Sequence, residues 1–314
     1  MALDRGPLQA RAQRDPRLSI RQLPVAIETV FRLRTALVGV GLVGFPWQVI
    51  GPTIQTHDLT RRFGETVAVD RLNLSVSRGE IFGLVGPNGA GKTTTIKLLN
   101  TLLPPTSGDA SIAGFDLVRQ PQLVRRTIGY VPQLLSADGE LTGFENLLLS
   151  ARLYHLPTAE RRSRIAEALD FMGLADVGNR LVSTYSGGMI RRLEVAQAML
   201  HHPTVLFLDE PTVGLDPTAR ESVWEHVRDL GQREGTTILM TTHYMDEADE
   251  LCDRLAVMHL GRVAALGTPA ELKAQIGPHA SLDDVFKRFT GSDIDSGGTF
   301  RDVARTRRTT TRVG

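Results

Sequence analysis

Gly86-Pro87-Asn88-Gly89-Ala90-Gly91-Lys92-Thr93 follows the spacing G-x-x-x-x-G-K-[ST], and the residues on either side give the spacing its meaning. Residues 81–85, Ile-Phe-Gly-Leu-Val, form a short apolar run of the kind expected of a buried strand. Residues 93–103 carry helical spacing and run into Pro104 and Pro105, so a helix is expected there. A glycine-rich turn between strand and helix brings backbone N–H groups to a helix N-terminus, which suits a chain of phosphates. Lys92 would reach the β- and γ-phosphates as a point charge, and the Thr93 hydroxyl would ligate Mg²⁺. ATP and Mg²⁺ are the ligands this pattern calls for.

Working outward, residues 205–208, Val-Leu-Phe-Leu, end in Asp209 and Glu210. Acids at the carboxyl end of a buried strand in an open α/β sheet stand where ligands bind. Asp209 suits the Mg²⁺ shell, and Glu210 suits a water aligned with the γ-phosphate. The β-branched and apolar run at 237–240 leads to Thr241, Thr242 and His243, an imidazole at the same expected edge. Tyr130-Val131-Pro132-Gln133 closes a further strand, with an uncharged amide available to metal or water. Residues 66–69 and 72–76 alternate as half-buried strands, 147–156 and 163–172 are helical, and 218–230 is a helix between the strands at 205 and 237. Residues 255–258 and 263–266 suggest a hairpin. Together these describe an α/β chain with a parallel sheet.

With those pieces in order, Tyr185-Ser186-Gly187-Gly188-Met189 becomes legible, and the chain resembles the nucleotide-binding subunit of ATP-binding cassette (ABC) transporters over residues 54–291. The resemblance implies a P-loop NTPase fold with a mainly parallel core sheet, an antiparallel β subdomain and an inserted helical subdomain at about 134–190. It also implies catalytic Glu210 and His243, and a metal set of Thr93, Gln133 and Asp209. The nucleotide contacts implied are Phe63 against adenine, the turn from Gly86 to Thr93 with Thr94, Gln133, and Asp216 in the Leu215-Asp216-Pro217 segment. In the family two cassettes face head to tail, so that Ser186, Gly187 and Gly188 of one chain cap the phosphate held by Lys92 of the other. One chain carries one half of each site, so a second copy is expected, as a two-fold homodimer. Tyr185 and Met189 replace the family's usual Leu and Gln. Together with Arg191-Arg192 and residues 244–249 they resemble the drug-resistance exporter branch. A separate transmembrane permease is the partner this implies, with the chain at the cytoplasmic face of the membrane.

Bulk properties narrow the alternatives. Across 314 residues, 36 Lys and Arg stand against 35 Asp and Glu, a balance without the basic field that nucleic acid attracts. The second reading, a soluble ABC ATPase acting on ribosomes or DNA, is disfavoured on that ground and by the single cassette. One cysteine, Cys252, excludes an internal disulfide framework. The longest apolar stretch, 36–50, is shorter than the roughly 20 residues a spanning helix needs. Residues 1–53 read as a flexible leader, 54–290 as the ATPase domain and 291–314 as a disordered tail.

Overall fold

The computed structural model describes residues 51–291, and the expectations for residues 1–50 and for the tail from 292 lie outside them. The chain opens with β1 (Ile54–Phe63), β2 (Thr66–Val76) and β3 (Ile81–Val85), then α1 (Lys92–Leu99), β4 (Ser107–Ile112), β5 (Phe115–Asp116), α2 (Pro121–Thr127) and β6 (Ile128–Val131). A helical stretch follows: α3 (Gly143–Leu153), α4 (Thr158–Phe171) and α5 (Gly187–Met199). The chain then alternates β7 (Val205–Asp209), α6 (Pro217–Glu234), β8 (Thr237–Thr242) and α7 (Met245–Leu251). It closes with β9 (Arg254–His259), β10 (Arg262–Gly267), α8 (Pro269–Ala274) and α9 (Leu282–Thr290).

Two sheets result. The central one has the order β10-β9-β3-β8-β7-β6, with all neighbours parallel except the antiparallel β9–β10 hairpin. The second, β2-β1-β4-β5, is antiparallel. Strands β3, β7 and β8 are buried throughout because both faces of the parallel sheet are covered. Alternation then sorts their side chains: Leu206, Leu208, Ile238 and Met240 face a core shared with α3 to α9, while Val205, Phe207 and Leu239 face α1 and the antiparallel sheet.

Three sequence expectations change. The runs 66–69 and 72–76 are one strand, and the polar break at Asp70-Arg71 is an irregularity within it, with Arg71 at φ 47°. Strand β1 carries no clear strand signal in the sequence because its alternation is broken at His57-Asp58, where the register with β2 and with β4 shifts. The helix expected over 93–103 ends at Leu99. Asn100 caps it and Thr101 turns left-handed at φ 59°, so the chain leaves the helix before it meets Pro104.

For the site, strand order is what matters. β3, β8, β7 and β6 are adjacent and parallel, so Gly86, His243, the Asp209-Glu210 pair and Gln133 all emerge at one carboxyl edge.

Candidate active site

The turn after β3 is tied to the neighbouring strand, since the Gly86 N–H donates to the Thr242 carbonyl at 3.3 Å. Glycine is obligatory at two places in it. A Cβ on Gly86 would overlap the Met258 carbonyl oxygen, and one on Gly91 would lie 2.5 Å from the Ala68 carbonyl. Gly91 also adopts φ 103° as it caps α1. Lys92 is 4% exposed, and its Nζ donates to the carbonyls of Gly86 (2.6 Å) and Pro87 (3.1 Å). Burial pulls its pKa down, against the opposing pull of the Glu210 and Asp209 charges.

Strand register places the acids. Asp209 pairs with Thr241 across β7 and β8, and its Oδ1 accepts from the hydroxyls of Thr241 (2.7 Å) and Thr93 (3.0 Å). Burial raises its pKa, while those two hydroxyls and Lys92 oppose the rise. Glu210 leaves the strand at φ 47°, a left-handed conformation uncommon outside glycine, and its N–H is held by both the carbonyl (3.1 Å) and the hydroxyl (3.0 Å) of Thr241. Its carboxylate is then gripped from three sides. Lys92 Nζ and His243 Nδ1 each lie 3.3 Å from Oε1, and Gln133 Nε2 donates to Oε2 at 2.8 Å. Burial tends to raise the Glu210 pKa, but the contacts with His243 and Lys92 outweigh it and hold the group below the usual carboxylate range. A carboxylate so stabilised is a weak proton acceptor, so it is better suited to orient a water than to abstract its proton outright.

The structure thus brings together Lys92, Thr93, Asp209, Glu210, Gln133 and His243, with Thr94 half-buried beside Thr93 on α1. Other expected residues stand apart from this cluster. Phe63 ends β1 as an exposed ring with the Arg61 guanidinium 4.6 Å above its centroid. Ser186 caps α5 by accepting from the Met189 N–H at 3.3 Å, and Ser186 and Gly187 are exposed. Asp216 caps α6 by accepting from Ala219 N–H at 3.0 Å. Gly188 packs so closely on α6 that a Cβ there would lie 2.8 Å from the Ala219 Cβ. Tyr185, the departure from the family's Leu, is buried and donates its hydroxyl to the Val177 carbonyl at 2.7 Å.

One site residue, Thr241, and one buried acid, Glu247, escape the sequence reading. Thr241 looks like one β-branched strand residue among several, and only the register opposite Asp209 reveals its hydroxyl's role. Glu247, on α7 four residues after His243, is fully buried and accepts from Thr212 (2.7 Å) and Trp224 (2.9 Å). Burial raises its pKa. Nothing in an acidic helical stretch, Asp246-Glu247-Ala248-Asp249-Glu250, marks one acid as buried.

The donor set near Lys92 suits a hard divalent ion. Among the described residues no group of three or more His, Cys, Asp or Glu could cage a metal. Mg²⁺, however, is typically held by one or two protein oxygens, with phosphate and water completing the shell. Thr93 and Asp209, already within one hydrogen bond of each other, supply such oxygens.

A glycine-rich phosphate turn, a buried lysine and paired acids at one edge of a parallel sheet define a P-loop nucleotide-binding protein. The profile of the ABC transporter family matches residues 69–213. The daunorubicin/doxorubicin resistance ATP-binding protein DrrA of Streptomyces peucetius is 50% identical over 224 residues, 71% of this chain and 68% of that protein. The linearmycin resistance ATP-binding protein LnrL of Bacillus subtilis is 37% identical over 224 residues, 71% of this chain and 72% of its own. Among solved structures, an ATP-binding subunit of an ABC transporter superposes with a TM-score of 0.67 at 33% identity, covering 76% of this chain and 99% of that one. This chain belongs to the ABC transporter family, as an ATP-binding subunit with an ATPase domain.

Proposed function

We propose that this chain hydrolyses ATP at the Lys92–Glu210 cluster, with Mg²⁺ held by Thr93 and Asp209, and thereby energises export by a separate transmembrane protein. The observation that carries this reading is the three-sided grip on Glu210 at the mouth of the phosphate turn. Lys92 and the N–H groups of residues 86–93 would bind the triphosphate, and Gln133, Glu210 and His243 would align water for in-line attack on the γ-phosphate. When bound, the metal would neutralise charge on the β- and γ-phosphates. Phe63 offers an aromatic face for adenine, and Thr94 and Asp216 complete the nucleotide contacts.

The cap of α5 supports a second copy as the other half of the site. Ser186 and Gly187 are exposed at a helix N-terminus, which favours an anion. A solved cassette 26% identical to this chain, with a TM-score of 0.61, is a dimer in a post-hydrolysis state with ADP and phosphate. Exposed Leu134 and Leu135, just after Gln133, and Leu149, Leu153 and Tyr154 on and after α3 give a membrane partner an apolar surface to hold. Among the described residues no helix is long and apolar enough to cross a membrane. The inserted helices at 134–190 would carry motion to it. A drug or antibiotic is the cargo class that relatives such as DrrA and LnrL suggest, and they favour an exporter over a role on ribosomes or DNA.

Light scattering of the Glu210→Gln chain with Mg²⁺ and ATP tests the reading. A dimer should form with ATP, dissociate with ADP and fail to form when Ser186→Arg is added. A chain that stays monomeric with ATP, or dimerises regardless of Ser186→Arg, contradicts it.

A further inference from the structure

Among the described residues the largest side chain buried to within 2% of full enclosure is an arginine, Arg191, on α5. Its Nη1 lies 2.9 Å from Glu194 Oε2, an ion pair in which both side chains are 2% exposed. A buried ion pair is a poor device for stability, because the desolvation of both charges offsets their attraction. Arg191 Nε has no hydrogen-bond partner, which makes the stability argument weaker still.

What the pair touches suggests another use. Arg191 donates through Nη1 to the Pro132 carbonyl at 2.7 Å and through Nη2 to the Gln133 carbonyl at 2.9 Å. Glu194 Oε1 accepts from the Ser136 N–H, from the Ser136 hydroxyl at 3.1 Å and from the Ala137 N–H at 3.3 Å. All five contacts fall on one short segment, residues 132–137. That segment carries the Gln133 amide that donates to Glu210. Arg191 holds it from the carbonyl side and Glu194 from the N–H side.

We infer that Arg191 and Glu194 form a clamp whose task is to position Gln133 against Glu210, and to make that position depend on the placement of α5. Ser186 lies five residues before Arg191 on the same helix, roughly 7 Å along its axis. Whatever engages the Ser186 cap therefore pulls on the backbone of Gln133 through one rigid element. The pair are positioning residues: their hydrogen bonds reach the Lys92–Glu210 cluster only through Gln133, while the Arg191 charge also acts on Asp209 without a direct bond. This inference rests on the proposed role of Glu210 and Gln133 in hydrolysis.

The test uses the full chain with MgATP. Replacing both charges at once, Arg191→Met with Glu194→Leu, avoids stranding either one in the interior. The folded double variant should retain its thermal midpoint and KM for ATP while kcat falls roughly 10- to 100-fold, the scale of a misplaced catalytic group. Adding Gln133→Ala to it should cost little beyond Gln133→Ala alone, because clamp and amide act through the same contact. Losses that multiply, or a folded clamp variant with unchanged kcat, overturn the inference. Should the double variant not fold, Arg191→Lys decides, because it keeps the charge but gives up the two-pronged grip: kcat should fall at constant KM, and an unchanged kcat refutes the clamp. Glu210→Gln run in parallel separates the two ideas. If it abolishes turnover while the clamp variants hydrolyse normally, only the clamp is wrong; if it hydrolyses normally, the site reading itself is wrong.

Discussion

Glu210→Gln removes one charge and almost no volume from a position 4% exposed. Two effects compete in the fold. The variant gives up the attraction between Glu210 and Lys92 at 3.3 Å, about 5 kcal/mol at an effective dielectric near 20. It also avoids the several kcal/mol of desolvation that the carboxylate suffers on burial. Lys92 keeps its two carbonyl acceptors, Gly86 and Pro87, so the net loss of stability should be about 1–2 kcal/mol. Chemistry should suffer more. A neutral amide cannot order and polarise water as the carboxylate does, and a loss of about 10²- to 10⁴-fold in kcat is expected, or roughly 3–5 kcal/mol of barrier. Affinity for ATP should hold or improve, because a negative charge beside Lys92 has gone. Single-turnover hydrolysis with chemical denaturation and nucleotide titration measures all three. A folded variant that hydrolyses ATP within about threefold of the wild-type rate refutes the role given to Glu210.

Further expectations concern the turn, the pH response and the buried acid. Gly91→Ala combines a φ of 103° with a Cβ 2.5 Å from the Ala68 carbonyl, and should lower stability by about 1–3 kcal/mol in denaturant titrations and abolish ATP binding. Because contacts with His243 and Lys92 hold the Glu210 carboxyl below the usual range despite its burial, wild-type kcat should fall in acid only below that range. His243→Ala removes the largest lowering contact, so the limb should move to higher pH in a pH–rate profile; a limb that stays put contradicts the assignment. Glu247, whose pKa burial raises, contributes stability that is fully present at low pH and lost as pH rises through its folded value. Glu247→Gln should therefore gain in thermal midpoint relative to wild type as pH rises from the ordinary carboxylate range toward the raised folded value, and a gap that closes instead would count against it.

Much of this architecture is written locally in the chain. Val85-Gly86 and Lys92-Thr93 announce strand, turn and helix within a dozen residues, and Leu208-Asp209-Glu210 announces a strand end, because burial and backbone freedom leave few residue types that fit. Ranges that depend on distant partners are not written locally. β1 has its alternation broken by irregularities visible only against β2 and β4. α1 stops at Asn100 rather than at the prolines, through a left-handed Thr101 that single-residue propensity does not foretell. Thr241 in the site and the buried Glu247 acquire their contacts from register and packing. Arg191 and Glu194 look like the solvated face of a helix until α5 is laid against residues 132–137.

The central claim is that the turn from Gly86 to Thr93 grips the triphosphate of ATP. Isothermal titration of the full chain with MgATP, repeated on Lys92→Ala, tests it most directly. Saturable binding by the wild-type chain that disappears in Lys92→Ala is the predicted result. Equal binding by both, or none by the wild type, would contradict it.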